Sequence, residues 1–168
     1  MISGELEEQL ARLHAESFGW ALSCCDGDRA HAEDVLQSAY VRVIAGEAVF
    51  GGRSAFRTWL FGVIRRVAWE HNRRSKTERM RTLGLDHPDA SSVADGGTSP
   101  GYVDSSRRLS SALSRLPERQ REVLHLVFYQ DMSIAEAAEI MGITVGSART
   151  HYERGKARMK ALLADGKE

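Results

Sequence analysis

The stretch 133-SIAEAAEIMGITVGSARTHYERGKAR-158 decides how this chain is read. Ser133 stands where a helix N-cap belongs. Glu136, three residues on, completes the reciprocal pair in which each side chain satisfies the other's backbone N–H. Ile134, Ala137, Ala138 and Met141 recur at helical spacing. Gly142 follows where a helix must stop and reverse, in left-handed geometry that glycine reaches without strain. A second helical stripe runs through Ala148, Tyr152, Gly155, Met159 and Leu162, while Ser147, Thr150, Glu153, Arg154 and Arg158 fall opposite. The small side chain of Ala138 allows the two helices to cross closely. This is the helix-turn-helix pattern, whose second helix enters the DNA major groove. Two helices around a glycine turn also build ordinary bundles. The arginine- and threonine-bearing face favours DNA, because those groups reach phosphates and base edges.

Outward from this motif, charge is striped. The formal net charge is zero, but residues 1–50 hold nine acidic and three basic side chains, and residues 51–82 hold two acidic and nine basic. Residues 83–106 hold four acidic and no basic side chains, and residues 107–168 hold eight acidic and eleven basic. A basic block steers nucleic acid locally even in a neutral protein. Residues 83–106 are also rich in Gly, Ser, Asp and Pro and lack a hydrophobic period, the composition of a linker. The chain therefore divides into residues 1–82, a flexible acidic linker 83–106, and residues 107–168. Helical periodicity flanks the linker and nothing alternates as a strand does. The expected fold is all-α, two small helical domains on a tether.

In the first domain, Glu5 to about Cys25 reads as one helix with Leu6, Leu10, Leu13 and Phe18 inward, and Asp26-Gly27-Asp28 as a turn. His31 to Ala45 reads as a second helix. Its core face is Val35, Leu36, Ala39, Tyr40, Val43 and Ile44, and its outer face is Asp34, Gln37, Ser38 and Val41. A third helix starts at Ser54 and buries Phe56, Trp59, Leu60, Val63 and Val67. Its other side shows Phe61, Arg65, Trp69, Asn72 and Arg73, with Arg66 at the margin. Arginines interleaved with aromatics suit single-stranded DNA, where guanidinium groups hold phosphates and rings stack on bases. The alternative is that Phe61 and Trp69 pack against the first helix.

No apolar run is long enough for a bilayer span, and the acidic N-terminus does not resemble a secretory signal. The reading is a cytoplasmic protein without a membrane segment. Cys24 and Cys25 are sequence neighbours, expected as buried reduced thiols. The six histidines are scattered. No cysteine–histidine set has zinc spacing, and no phosphate loop or paired acid and base suggests catalysis. Neither a metal, a cofactor nor an enzymatic role is expected.

The blocks HAEDVLQSAYVRV (31–43), FRTWLFGVIRRVAWEHNRR (56–74) and LSRLPERQREVLHLVF (113–128), followed by the helix-turn-helix, together resemble an extracytoplasmic-function (ECF) RNA polymerase sigma factor. The first two blocks are similar to sigma region 2 and the last two to region 4. The resemblance implies a subunit that binds core RNA polymerase and directs it to promoter DNA. It places Glu33, Asp34, Gln37 and Arg42 on the polymerase. It places Phe61, Arg65, Arg66, Trp69, Glu70, Asn72, Arg73 and Arg74 at the single-stranded −10 element. Ser147, Arg149, Thr150, His151, Arg154, Lys156 and Arg158 fall at the duplex −35 element, with Arg119 and Arg121 near DNA. Where Arg66 stands, family members often carry asparagine, which leaves the base preference at −10 open. The resemblance also allows an anti-sigma factor as a partner. Two other readings remain: a sigma-like decoy that binds only an anti-sigma factor, and a stand-alone helix-turn-helix regulator.

Overall fold

The computed structural model describes residues 3–82 and 100–165, and every regular element among them is helical. The chain divides into two compact units, residues 1–93 and 94–168. The first contains α1 (Ser3–Arg12), α2 (His14–Cys24), α3 (Arg29–Ile44) and α4 (Phe56–Thr82). The second contains α5 (Pro100–Ser114), α6 (Glu118–Leu124), a π-helical turn (His125–Tyr129), α7 (Ile134–Met141) and α8 (Val145–Asp165).

The single first helix expected from the sequence is two. Leu13 adopts φ −93°, ψ 2° between α1 and α2. Hydrogen bonds still run from Leu13 N–H to Gln9 C=O and from Ser17 N–H to Leu13 C=O, so the break is a kink. The turn at Asp26-Gly27 forms as expected, with both residues at positive φ. Helix α3 starts two residues earlier than the periodicity alone suggests, because the Asp28 carboxylate accepts the His31 N–H at 3.1 Å and caps it.

Trp20 is the centre of the first unit. It is fully buried, donates its indole N–H to the Phe61 carbonyl at 3.0 Å, and stacks on the Phe61 ring with centroids 6.0 Å apart. Ala21, Ala32 and Ala39 are buried around it and let α2 and α3 approach closely. Leu60, Ile64 and Val67 fill the α4 side. Phe50, Phe56 and Trp59 form a separate aromatic cluster, centroids 5.4–5.5 Å apart, that ties the segment entering α4 to its first turn. Trp59 thus packs within its own element and entry loop rather than against the first helix.

In the second unit, the reciprocal Ser133–Glu136 cap of α7 is present in both directions, at 3.0 and 3.1 Å. Gly142 ends α7 at φ 66°, and Ile143 N–H returns to the Ala138 carbonyl. Ala137, Ala138 and Ala148 are buried where α7 meets α8. Where α8 meets α6, Gly155 is buried, and a Cβ there would lie 3.1 Å from Leu124 Cδ1. Residues 83–99 of the expected linker lie outside the described residues, but α5 begins at Pro100, so residues 100–106 are helical rather than tether. Proline is favoured in the first helical turn, and Leu109, Ala112 and Leu113 supply the apolar spacing that follows it.

The π-helical turn leaves His125 half-buried, its ring stacked on Tyr129 at 5.2 Å. Burial pushes the His125 imidazole down to about 4. The Gln130 amide nitrogen lies 3.1 Å from His125 Nε2, a contact that the neutral ring accepts and the imidazolium cannot.

Two outcomes check this packing. Gly155→Val should destabilise the second unit by about 1–3 kcal/mol through overpacking against Leu124. All three tryptophans lie in the first unit. Urea unfolding followed by tryptophan fluorescence should therefore be unchanged, while far-ultraviolet circular dichroism shows an earlier transition. An unshifted dichroism curve would mean that the crossing has slack. For His125, the folded value lies below the unfolded one, so the unfolded state binds more protons between them. Stability should fall as pH drops from about 6.5 towards 4. An NMR titration of the ring should give a midpoint near 4, and a midpoint near 6.5 would show the ring to be solvated.

Candidate nucleic-acid interface

Three groups of residues expected to make contacts lie on α3, α4 and α8. On α4 the buried arc is wider than a simple amphipathic stripe, because the helix packs on both α2 and α3. Phe61 falls inside that arc at 0 % exposure. It therefore belongs to the core and not to the exposed set in which the sequence pattern placed it. Trp69, two turns further on, is 45 % exposed. The Arg65 guanidinium lies 5.6 Å from its ring centroid, a cation–π contact that orients both groups. Arg66, Arg73 and Arg74 are exposed beside it, and Asn72 is half-buried. The result is an arginine-rich strip around one exposed indole, on a helix whose other side is fixed in the core.

Glu70 and Arg42 were expected to face DNA and polymerase respectively. The structure pairs them instead: the Arg42 guanidinium donates to the Glu70 carboxylate across the α3–α4 contact. That hydrogen bond holds the Glu70 carboxyl below its usual range and raises the arginine. One residue along, His71 stacks on His31 with centroids 6.1 Å apart. Burial lowers the His71 value, with His31, Arg74 and Arg42 adding to the effect and Asp34 opposing it.

On α3, Glu33, Asp34 and Gln37 are exposed. Val41 and Ile44 continue the same stripe at 62 % and 58 % exposure, and Val49 beyond the helix is 74 % exposed. Ile44 had the spacing of a core residue but sits outside the core. Arg42 meets α4 and Val43 is buried, while Ile44, about 100° further round the helix, shares the exposed stripe with Val41. An apolar end to an acidic and amide stripe suits a protein partner, because isolated charges alone give little affinity.

On α8 the N-cap is Thr144, whose hydroxyl oxygen accepts the Ser147 N–H at 3.1 Å and donates to the Ser147 hydroxyl. Thr144 is followed three residues later by no Glu or Gln, so the capping-box pattern does not reveal it. At about 100° per residue, Ser147, His151, Arg154 and Arg158 share one edge of the helix, and Arg149, Glu153 and Lys156 the other, with Thr150 between. Ser147, Arg149, Thr150, Arg154 and Arg158 are exposed. The Thr150 hydroxyl donates to the Gly146 carbonyl. Lys156 is drawn inward over the Tyr152 ring at 4.4 Å and pairs with Glu153 at 3.3 Å. Tyr152 in turn stacks on Phe128. Arg119, expected near DNA, donates instead to the Met141 carbonyl at the C-terminal end of α7 at 3.4 Å.

Two family models match the chain: Sigma-70 region 2 over residues 11–78, and Sigma-70, region 4 over residues 106–159. The chain is 33 % identical over 132 residues to the ECF RNA polymerase sigma factor SigX of Bacillus subtilis, covering 76 % of this chain and 68 % of that protein. It is 30 % identical over 146 residues to the ECF RNA polymerase sigma factor SigC of Mycobacterium tuberculosis, covering 87 % and 76 %. Its fold matches the sigma factor RpoE solved with the anti-sigma factor NepR from Bartonella quintana, with a TM-score of 0.79, 21 % identity, and coverage of 97 % and 99 %. It also matches CnrH, solved with the cytosolic domain of CnrY, with a TM-score of 0.65, 22 % identity, and coverage of 95 % and 88 %.

The different placements of Phe61 and Trp69 have measurable consequences. Phe61→Ala should cost about 3–5 kcal/mol of stability by opening a cavity against Trp20. Trp69→Ala should cost clearly less, about 1 kcal/mol, since nearly half of the residue is exposed, whereas Phe61 is fully buried with Trp20 packed on it. Urea unfolding of both variants, followed by circular dichroism, compares them. Equal losses would contradict the burial of Phe61.

Proposed function

The chain belongs to the ECF RNA polymerase sigma factors, and on that premise we propose how its two units divide the work of promoter-directed initiation. The protein is a transcription initiation factor. The first unit would carry both the polymerase-binding stripe and the −10 strip. Glu33, Asp34, Gln37, Val41 and Ile44 on α3 would meet the core enzyme. Arg65, Arg66, Trp69, Asn72, Arg73 and Arg74 on α4 would hold the unpaired strand. Stacking of a base on an exposed ring contributes roughly 1–3 kcal/mol, and arginine–phosphate contacts add affinity without sequence information.

The second unit would place α8 in the major groove of the −35 element. Ser147, Arg149, Thr150, His151, Arg154 and Arg158 would face the duplex, and Lys156 would lend its charge from the flank. Arginine, threonine and serine at these positions have the donors that base edges and phosphates accept. The single observation that carries this reading is the presence of two arginine-bearing exposed helix faces, on α4 and α8, each backed by its own core. One suits an unpaired strand through its indole and the other a groove through its capped, exposed N-terminal half.

Described helices offer no segment long and apolar enough to cross a membrane, and we place the protein in the cytoplasm with the polymerase. An anti-sigma factor is a further partner on this reading, as the fold is shared with a sigma factor solved in such a complex.

Run-off transcription with purified core polymerase on a pool of genomic promoter fragments tests the proposal. Transcripts that need the protein and share upstream sequence at two spaced elements are the expected result. No polymerase binding would overturn the proposal and leave the decoy or the stand-alone regulator. On a selected promoter, Arg149→Ala or Thr150→Ala should weaken −35 recognition by about 1–3 kcal/mol. Unchanged promoter choice would remove them from the readout set.

A further inference from the structure

The α3–α4 ion pair joins one residue expected to touch polymerase to one expected to touch DNA, and the first stands away from the surface that its expected role requires. At about 100° per residue, Arg42 stands roughly 140° around α3 from the middle of the Gln37–Val41–Ile44 stripe. Glu70, by contrast, lies within the DNA-facing strip. It lines one groove with Arg73, Arg74, Thr77, Glu78 and Arg81, and Arg66 is one helical turn before it. A carboxylate among arginines that must hold phosphates is a competitor for them: Arg66, Arg73 and Arg74 are all three or four residues away, the spacing at which helical ion pairs form.

We propose that Arg42 is a positioning residue whose function is to hold the Glu70 carboxylate, so that the arginines of α4 are left to the promoter strand. The inference rests on the assignment of α4 to the −10 element. The geometry supports it in three ways. The guanidinium comes from another helix and is the strongest influence on the Glu70 carboxylate, ahead of Arg74 on its own helix. The pair is 30 % and 39 % exposed at its side chains, a setting in which ion pairs add little to stability, so folding alone does not account for it. A second contact between the same two helices, the His31–His71 stack, involves the residue next to Glu70 on α4.

With Arg42 removed, Glu70 turns to Arg66, Arg73 or Arg74 and neutralises part of the strip. With Glu70 also removed, the competitor is gone and the strip is restored. Loss and rescue in this order distinguish positioning from direct contact.

The experiment uses holoenzyme assembled from core polymerase and the full chain. The probe is a fork-junction oligonucleotide carrying the non-template −10 strand of a promoter selected by run-off transcription. Arg42→Ala should weaken fork binding about tenfold, and adding Glu70→Gln to it should bring binding back to within about threefold of the Glu70→Gln protein. Affinity for core polymerase and the thermal unfolding midpoint should be the same for all four proteins. Loss of core affinity in Arg42→Ala, unrelieved by Glu70→Gln, would make Arg42 a polymerase contact and overturn the proposal. Loss of fork binding in Glu70→Gln alone, with no recovery in the double variant, would make Glu70 a DNA contact or the pair a structural clamp, and would overturn it equally. If wild-type holoenzyme does not bind the fork at all, the assignment of α4 itself fails and the inference falls with it.

Discussion

The orientation of α4 depends on one buried contact, the indole N–H of Trp20 donated to the Phe61 carbonyl beneath a stacked pair of rings. A backbone carbonyl inside a helix already accepts from the residue four positions on. Its second lone pair is usually left to solvent, or costs free energy when buried. Here the indole satisfies it, in a site with no exposure. That bond fixes the rotation of α4 as well as its distance from α2, because a turn of the helix by one residue would carry the carbonyl about 100° away. Once Phe61 is turned in, Trp69, Arg66 and Arg73 are turned out. The exposed indole is thus a consequence of the buried one.

The second unit reaches a comparable rigidity by local means. Ser133 and Glu136 close the start of α7, Gly142 closes its end, and Thr144 closes the start of α8 within two further residues. Alanines at 138 and 148 and the glycine at 155 bring the helices near enough for the backbone to carry the packing. Capping of this kind contributes roughly 1 kcal/mol per site. Its larger consequence is geometric, since the first turns of α8 are held without relying on the side chains that face outward. Those side chains are then available for recognition, and the fold does not depend on what they are.

This difference explains what the sequence could and could not reveal. The helix-turn-helix was legible because its determinants lie within a few residues of one another: a capping pair at i and i+3, a glycine that must be left-handed, small residues at helical spacing. The all-helical, two-unit layout was legible for the same reason. Phe61 was misplaced because the amphipathic rule assumes one neighbouring helix, whereas α4 has two and buries a wider arc. Ile44 was misplaced in the opposite sense, because it falls at the edge of the apolar arc and lies with Val41 on the exposed stripe. Long-range pairings were invisible. Arg42 meets Glu70 across 28 residues, and Arg119 meets the Met141 carbonyl across 22. In each case a charged side chain read as a ligand of some external partner is already engaged inside its own unit. The start of α5 at Pro100 shows the same limit on the linker, where composition spoke for a tether and proline opened a helix.

Zero net charge raises an apparent difficulty for a protein that must attract nucleic acid, and the fold resolves it. Glu33 and Asp34 are exposed on α3, and Arg66, Arg73 and Arg74 on α4, the helix packed against it. Packed helices lie about 8–10 Å apart, and charges at physiological ionic strength are screened over about 8 Å. At the boundary of the two helices Asp34 and Arg74 both act on His71, and away from it charges more than a screening length apart are met singly by an approaching partner. Between α3 and α4 the charges cancel where the faces meet, at the Arg42–Glu70 pair and around the stacked histidines. An acidic surface for one macromolecule and a basic surface for another can then share a unit this small, provided that the charges along their common boundary are paired with each other. Arg42 and Glu70 meet that condition, which is why an exposed ion pair worth little to folding can still govern what the arginines beside it are able to bind.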